Sequence, residues 1–134
     1  MIQKLQSNKG GFTLVEIMIV VAMIGLLAAM AVPSFIRARQ RSLATTILNE
    51  CRMVDAGIDQ YALENNKSGA AAVGWADITP YLKVGSKLAT NGGSDTLGNA
   101  FTITTVDAGV QVSSTTQNAV SDSTGGVTFW GPYS

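Results

Sequence analysis

A chain of 134 residues has room for one small domain, and its nine basic and nine acidic residues cancel to a net charge of zero. Charged residues make up 13% of it, well below the usual share of about a quarter, so no basic face for nucleic acid is expected. With no histidine and one cysteine, Cys51, the chain lacks the parts for His-based triads, Cys/His zinc sites, paired-cysteine redox chemistry and an intrachain disulfide.

Lys4 and Lys9 are the only charges before Gly11, and all nine acids follow it. From Phe12 to Val32 run 21 residues whose one charge is Glu16. At about 1.5 Å of rise per residue, a helix of this length spans the ~30 Å hydrocarbon core of a bilayer. A membrane segment is therefore expected, with the lysines on the cytoplasmic side and the rest of the chain beyond it. An ordinary secretory signal shares the basic start and the apolar stretch, but it is cut after that stretch at a small-x-small site. Ala29 and Ala31 before Val32 are the residues that would serve that alternative.

The junction Lys9-Gly10-Gly11-Phe12-Thr13-Leu14-Val15-Glu16 resembles that of the type IV pilin and type II secretion pseudopilin family. Its prepilins carry a short basic leader ending in glycine, then phenylalanine, a few apolar residues and a glutamate five places into the mature chain. The resemblance implies that residues 1–11 are a leader, cut between Gly11 and Phe12 by a prepilin peptidase that also methylates the new Phe12 amine. It further implies membrane lipid as the first surroundings, an inner-membrane assembly platform, and identical or homologous subunits as partners. Glycine suits the cut because it has no side chain and can lie extended in a narrow cleft. A cut after Gly10 would place glycine first and Glu16 sixth, out of both positions.

A carboxylate at the centre of a bilayer costs about 3 kcal/mol, which makes Glu16 a functional candidate. The resemblance implies that it pairs with the Phe12 amine of a neighbouring subunit during assembly, an attraction strengthened in a low-dielectric bundle. The competing account is local: Glu16 snorkels, or it favours the positive end of its own helix.

After Val32 the pattern turns amphipathic. Arg37, Arg39 and Arg41 crowd the end of the apolar stretch, where they meet either lipid phosphates or acids on neighbouring subunits. Leu43, Ile47, Cys51, Val54, Ile58 and Tyr61 then recur at helical spacing, opposite a polar face of Thr45, Asn49, Glu50, Arg52, Asp55 and Asp59. Polar residues and glycine over Asn65–Gly69 stop the run. One helix from Thr13 to Glu64 follows, about 78 Å long. Its filament-core half is 12–36 and its amphipathic half 37–64, with Gly25 and Pro33 expected to kink it.

The head, residues 65–134, begins with a connection to Asn99 that holds a short helix or turns near Asp77. Three strands are read at Phe101–Val106, Val110–Thr116 and Val127–Trp130, with a turn at Asp107-Ala108-Gly109. The fold class is thus α+β: a long N-terminal helix packed on a small antiparallel sheet, which covers the helical stripe. Asp95-Thr96-Leu97-Gly98-Asn99-Ala100-Phe101 is similar to the Asp-Pro-Trp-Gly-Asn-Pro-Tyr stretch of major pseudopilins, though it also makes a good turn on physical grounds. Those proteins bind calcium in the C-terminal loop. Here Asn118–Gly126 offers one acid, Asp122, where the ion takes about six to eight oxygens; a calcium site in this loop is the poorly supplied alternative, and no cofactor or metal is expected. Cys51, on the stripe, is expected to be a buried, inert thiol, and Trp75, Trp130 and Tyr133 to supply core or subunit contacts.

The sequence reads as a structural filament subunit and not an enzyme, first in the inner membrane and then in an extracellular or periplasmic filament. A pseudopilin acting in a periplasmic piston is the alternative. A membrane-anchored enzyme or binding protein is a third reading, without a nucleophile, base or metal cluster to point to.

Overall fold

The structure is a computed structural model and describes residues 10–134; residues 1–9 of the expected leader 1–11, including Lys4 and Lys9, lie outside the described residues. The chain divides into two units, Met1–Ile36 and Arg37–Ser134.

The described part of the first unit is a short non-helical start and the opening of α1, a helix over Leu14–Glu64. Thr13 begins it. Its carbonyl accepts the Ile17 N–H at 3.3 Å and its hydroxyl accepts the Glu16 N–H at 3.2 Å, so one residue satisfies two donors of the first turn. The helical span includes Gly25 and Pro33. Pro33 has no N–H to give to the carbonyl four residues back. Every residue from Phe12 to Ile36 is exposed, and the helix is long and apolar enough to cross a membrane, with none of its apolar stretch buried. So large a bare apolar surface implies lipid or other chains around it.

In the second unit α1 buries Ala44, Ile47, Cys51, Val54, Gly57 and Ile58 along one side, while Leu43 and Tyr61 are half-buried at the ends of the stripe. The helix stops where Asn66 turns left-handed at φ 48°. The Lys67 N–H then reaches back to the Ala62 carbonyl at 2.9 Å, closing the end in the usual left-handed manner. Asparagine takes that conformation more readily than other side-chain-bearing residues.

Short elements follow: α2 (Trp75–Ile78) running into a 3-10 turn (Thr79–Tyr81), α3 (Lys87–Thr90), β1 (Thr102–Ile103), β2 (Val110–Gln111), α4 (Ser114–Ala119) and α5 (Ser121–Thr124). Two further 3-10 turns, Val127–Phe129 and Gly131–Tyr133, close the chain. The strands pair antiparallel, Thr102 with Gln111 and Ile103 with Val110. Between them Gly109, at φ 62°, completes the expected turn, its N–H on the Thr105 carbonyl at 3.3 Å.

The α+β class holds, but among the described residues the sheet has two strands and not three. Val110–Thr116 stops being a strand at Gln111, because the Ser113 hydroxyl accepts the Thr115 N–H at 3.3 Å and caps α4. Val127–Trp130 is rich in β-formers, yet Gly125 and Gly126 before it stand at φ 80° and 90° and Gly131 after it at 57°, which curls the segment into 3-10 turns. The helical stripe is consequently covered by Ile78, Leu82 and Leu88 from the short helices, together with Val110, Val112, Val120 and Trp130, rather than by a sheet face.

Candidate processing and assembly site

Gly10, Gly11, Phe12 and Thr13 are exposed and outside the helix. A Cβ at either glycine would meet nothing within 4 Å. The peptide bond between Gly11 and Phe12 is therefore bare, unprotected by helical hydrogen bonding, and one residue ahead of the Thr13 cap that starts the membrane-type segment. A protease can take such a bond into an extended binding cleft without unwinding a helix. Phe12 itself is 80% exposed.

Glu16 falls on the third position of α1, with its own N–H held by the Thr13 hydroxyl. A carboxylate in the first turn is favoured by the positive end of the helix, typically by about 0.3–1 kcal/mol at an exposed site. Threonine followed three residues later by glutamate is a helix-start signal. Here it lies within the Gly11–Glu16 junction, and the capping role of Thr13 is one that a reading for cleavage alone passes over. Gly25 and Pro33 are exposed on the same helix.

The second unit holds carboxylates that periodicity places in solvent and that the structure draws in. Glu50 is 9% exposed; Thr96 donates to it from both its N–H (3.1 Å) and its hydroxyl (2.5 Å). Asp55 is half-buried and accepts the Val110 N–H at 3.1 Å. Asp95, 1% exposed, accepts the N–H groups of Leu97 and Asn99 at 2.9 Å each and the Thr116 hydroxyl. With Gly98 at φ 88° and its N–H on the Asp95 carbonyl at 2.9 Å, the Asp95–Asn99 stretch is a tight turn locked by an aspartate. Asn99 donates to the Thr116 hydroxyl at 2.8 Å, tying that turn to α4. These acids hold loops; each spends its oxygens on the chain's own donors.

Cys51 is fully buried between them. Burial first, then the charges of Asp55, Glu50 and Asp95, push its thiol from an ordinary 9.0 up to about 12. Its burial agrees with its place on the stripe, and a thiol so raised holds little of the reactive thiolate near neutral pH. A cavity of about 340 Å3 opens beside α1, lined by Asp55, Asp59, Asp107 and Tyr133 among others. Burial, and then Asp55, raise the Tyr133 hydroxyl above its usual range. Asp122 in the C-terminal loop is exposed, and among the described residues no three His, Cys, Asp or Glu side chains are grouped to hold a metal ion.

Residues 6–32 match the prokaryotic N-terminal methylation motif, which takes in Gly11, Phe12, Glu16 and Gly25. The chain is 37% identical over 71 residues to the type IV major fimbrial protein FimA of Dichelobacter nodosus, covering 53% of this chain and 46% of that protein. It is 37% identical over 58 residues to the type II secretion system core protein G of Pseudomonas aeruginosa, covering 43% and 41%. With the type IV major pilin protein PilA of Myxococcus xanthus it shares 51% over 41 residues, 31% of this chain and 19% of that one. The chain thus spans less than half the length of each of these relatives. No solved structure matches it. The resemblance carried by the junction is borne out: the similar proteins are type IV pilins and type II secretion pseudopilins.

Proposed function

We propose that this chain is a structural subunit of a type IV pilus-like filament, cut between Gly11 and Phe12, methylated on the Phe12 amine, and polymerised through the exposed apolar half of α1. The observation that carries the reading is the juxtaposition at the start of α1. An accessible, non-helical Gly11–Phe12 bond directly precedes a capped helix whose apolar residues are bare from Phe12 to Ile36. Cleavage there releases the basic leader and creates an amine beside a surface that needs covering. Other copies of the same segment supply that cover, and before assembly membrane lipid does so.

In this reading Glu16 pairs across subunits with the Phe12 amine, Gly25 and Pro33 weaken the helix locally, and the peptidase and an inner-membrane platform act before the filament leaves the membrane. The decisive experiment compares processed subunit with sheared filament in the same cells for Glu16→Gln. That change keeps size and hydrogen-bonding capacity and deletes the charge. Mature subunit accumulating in the membrane with few filaments is the expected result. Normal filament yield would leave Glu16 only its local role in the first helical turn.

A second reading, a pseudopilin in a short periplasmic filament, is favoured by the likeness to core protein G and by the Asp95, Gly98 and Asn99 of the locked turn. Filaments that appear at the cell surface only on overproduction, together with loss of an exported enzyme from the medium on deletion, would select it.

A further inference from the structure

Asn66-Lys67-Ser68 is an Asn-x-Ser acceptor sequence without proline at its centre. All three residues are exposed, and Asn66 stands two places past the last residue of α1. We propose that Asn66 is a site of N-linked glycosylation, taking its sugar from an oligosaccharide carried on a polyprenyl diphosphate. The proposal rests on the reading that the head lies outside the cytoplasm, where such a donor is presented.

Three features of the helix end favour transfer. The backbone has left the helical ladder at Asn66, which turns left-handed, so an enzyme need not unwind a helix to take the acceptor in. The neighbouring Asn65 is occupied, its side-chain amide donating to the Tyr61 carbonyl at 2.9 Å, whereas among the described residues neither the Asn66 amide nor the Ser68 hydroxyl enters a side-chain hydrogen bond. Beyond the acceptor the chain is tethered again, the Asp107 N–H donating to the Gly69 carbonyl at 2.9 Å. The sequence is thereby presented as a short exposed bend between two fixed points.

In the transfer a bond forms between the Asn66 Nδ2 and the anomeric carbon of the first sugar. The bond from that carbon to the diphosphate oxygen breaks, and the polyprenyl diphosphate leaves with the electron pair. Nδ2 gives up one proton to a base of the transferase, and no oxidant or reductant is needed. The product carries a bulky, solvating group where α1 ends.

The test is the intact mass of the protein purified from its native cell, with fragmentation of the peptide that contains Asn66. A mass above that of the chain by a whole number of sugar residues is expected. The sugar should map to Asn66, be lost in Asn66→Gln and in Ser68→Ala, and be kept in Ser68→Thr and in Asn65→Gln. Unmodified Asn66 in protein that begins at Phe12, with a head open to protease added to spheroplasts, overturns the glycosylation while leaving the filament reading intact. A head shielded from that protease overturns the export reading, and this proposal falls with it.

Discussion

One residue, Thr96, grips both carboxylate oxygens of Glu50 across 46 positions of sequence, its N–H on Oε2 and its hydroxyl on Oε1. Hydrogen bonds to a charged group contribute roughly 1.5–3 kcal/mol each, and a buried donor left unpaired costs a similar amount. Glu50→Ala should therefore lower head stability by about 2–3 kcal/mol, read by chemical denaturation of the full chain in detergent. Thr96→Val keeps the backbone donor and should cost about half as much. Equal, negligible losses in the two variants would show that the pair carries no stability.

At the start of α1, Thr13→Val keeps shape but removes the hydroxyl that caps the helix. Losing a cap costs about 1 kcal/mol, so the Glu16 amide should exchange its hydrogen about five-fold faster in micelles. Thr13→Ser should leave the exchange as it is, and an unchanged rate in the valine variant would exclude the cap.

The raised thiol of Cys51 ties head stability to alkaline pH. In the unfolded chain the thiol ionises near 9.0, while in the fold it holds its proton up to about 12. Between those values the folded state binds the extra proton, so stability is whole below pH 9 and falls as pH rises toward 12. Tyr133, raised by burial and by Asp55, adds to the loss at the upper end of that window. Cys51→Ala should flatten the first part of the slope, measured as denaturation midpoints from pH 8 to 11. Native protein should also resist a thiol reagent at pH 8 that labels the denatured chain at once.

Gly109 sits at φ 62°, and a Cβ added there would lie 2.9 Å from the Asp55 Oδ1 that receives the Val110 N–H. Gly109→Ala combines a left-handed penalty of about 1–2 kcal/mol with displacement of that carboxylate. The thermal midpoint should fall by several degrees, and the Val110 amide should lose protection more than the Ile103 amide. Uniform loss across both strands would point to the backbone conformation alone.

The helix and its buried side were legible because apolar spacing is a local property: Ile47, Cys51, Val54 and Ile58 follow from it, and so does the stop near Asn66. Glu50 and Asp55 border that side by helical angle, and what buries them is a turn and a strand far along the chain, invisible to any local pattern. The third strand fails for a related reason. Val127–Trp130 has strand-forming side chains, but flanking glycines at positive φ set its course. At the junction the Gly11, Phe12 and Glu16 positions stand out in the sequence, while Thr13's second task becomes visible only when its hydroxyl meets the Glu16 amide.

Trp130 is 1% exposed, and the neighbouring Tyr133 carbonyl receives the Val112 N–H at 2.9 Å. Ile47 and Val54 lie far back along the chain from this indole, which shares their core, so the core closes only when the two stretches meet. Until then Ile47 and Val54 have no complete cover, and contacts so distant in sequence form slowly. Folding of the head is thus timed by its most distant contacts. Until they form, α1 offers an open apolar stripe and the short elements around it have no common centre.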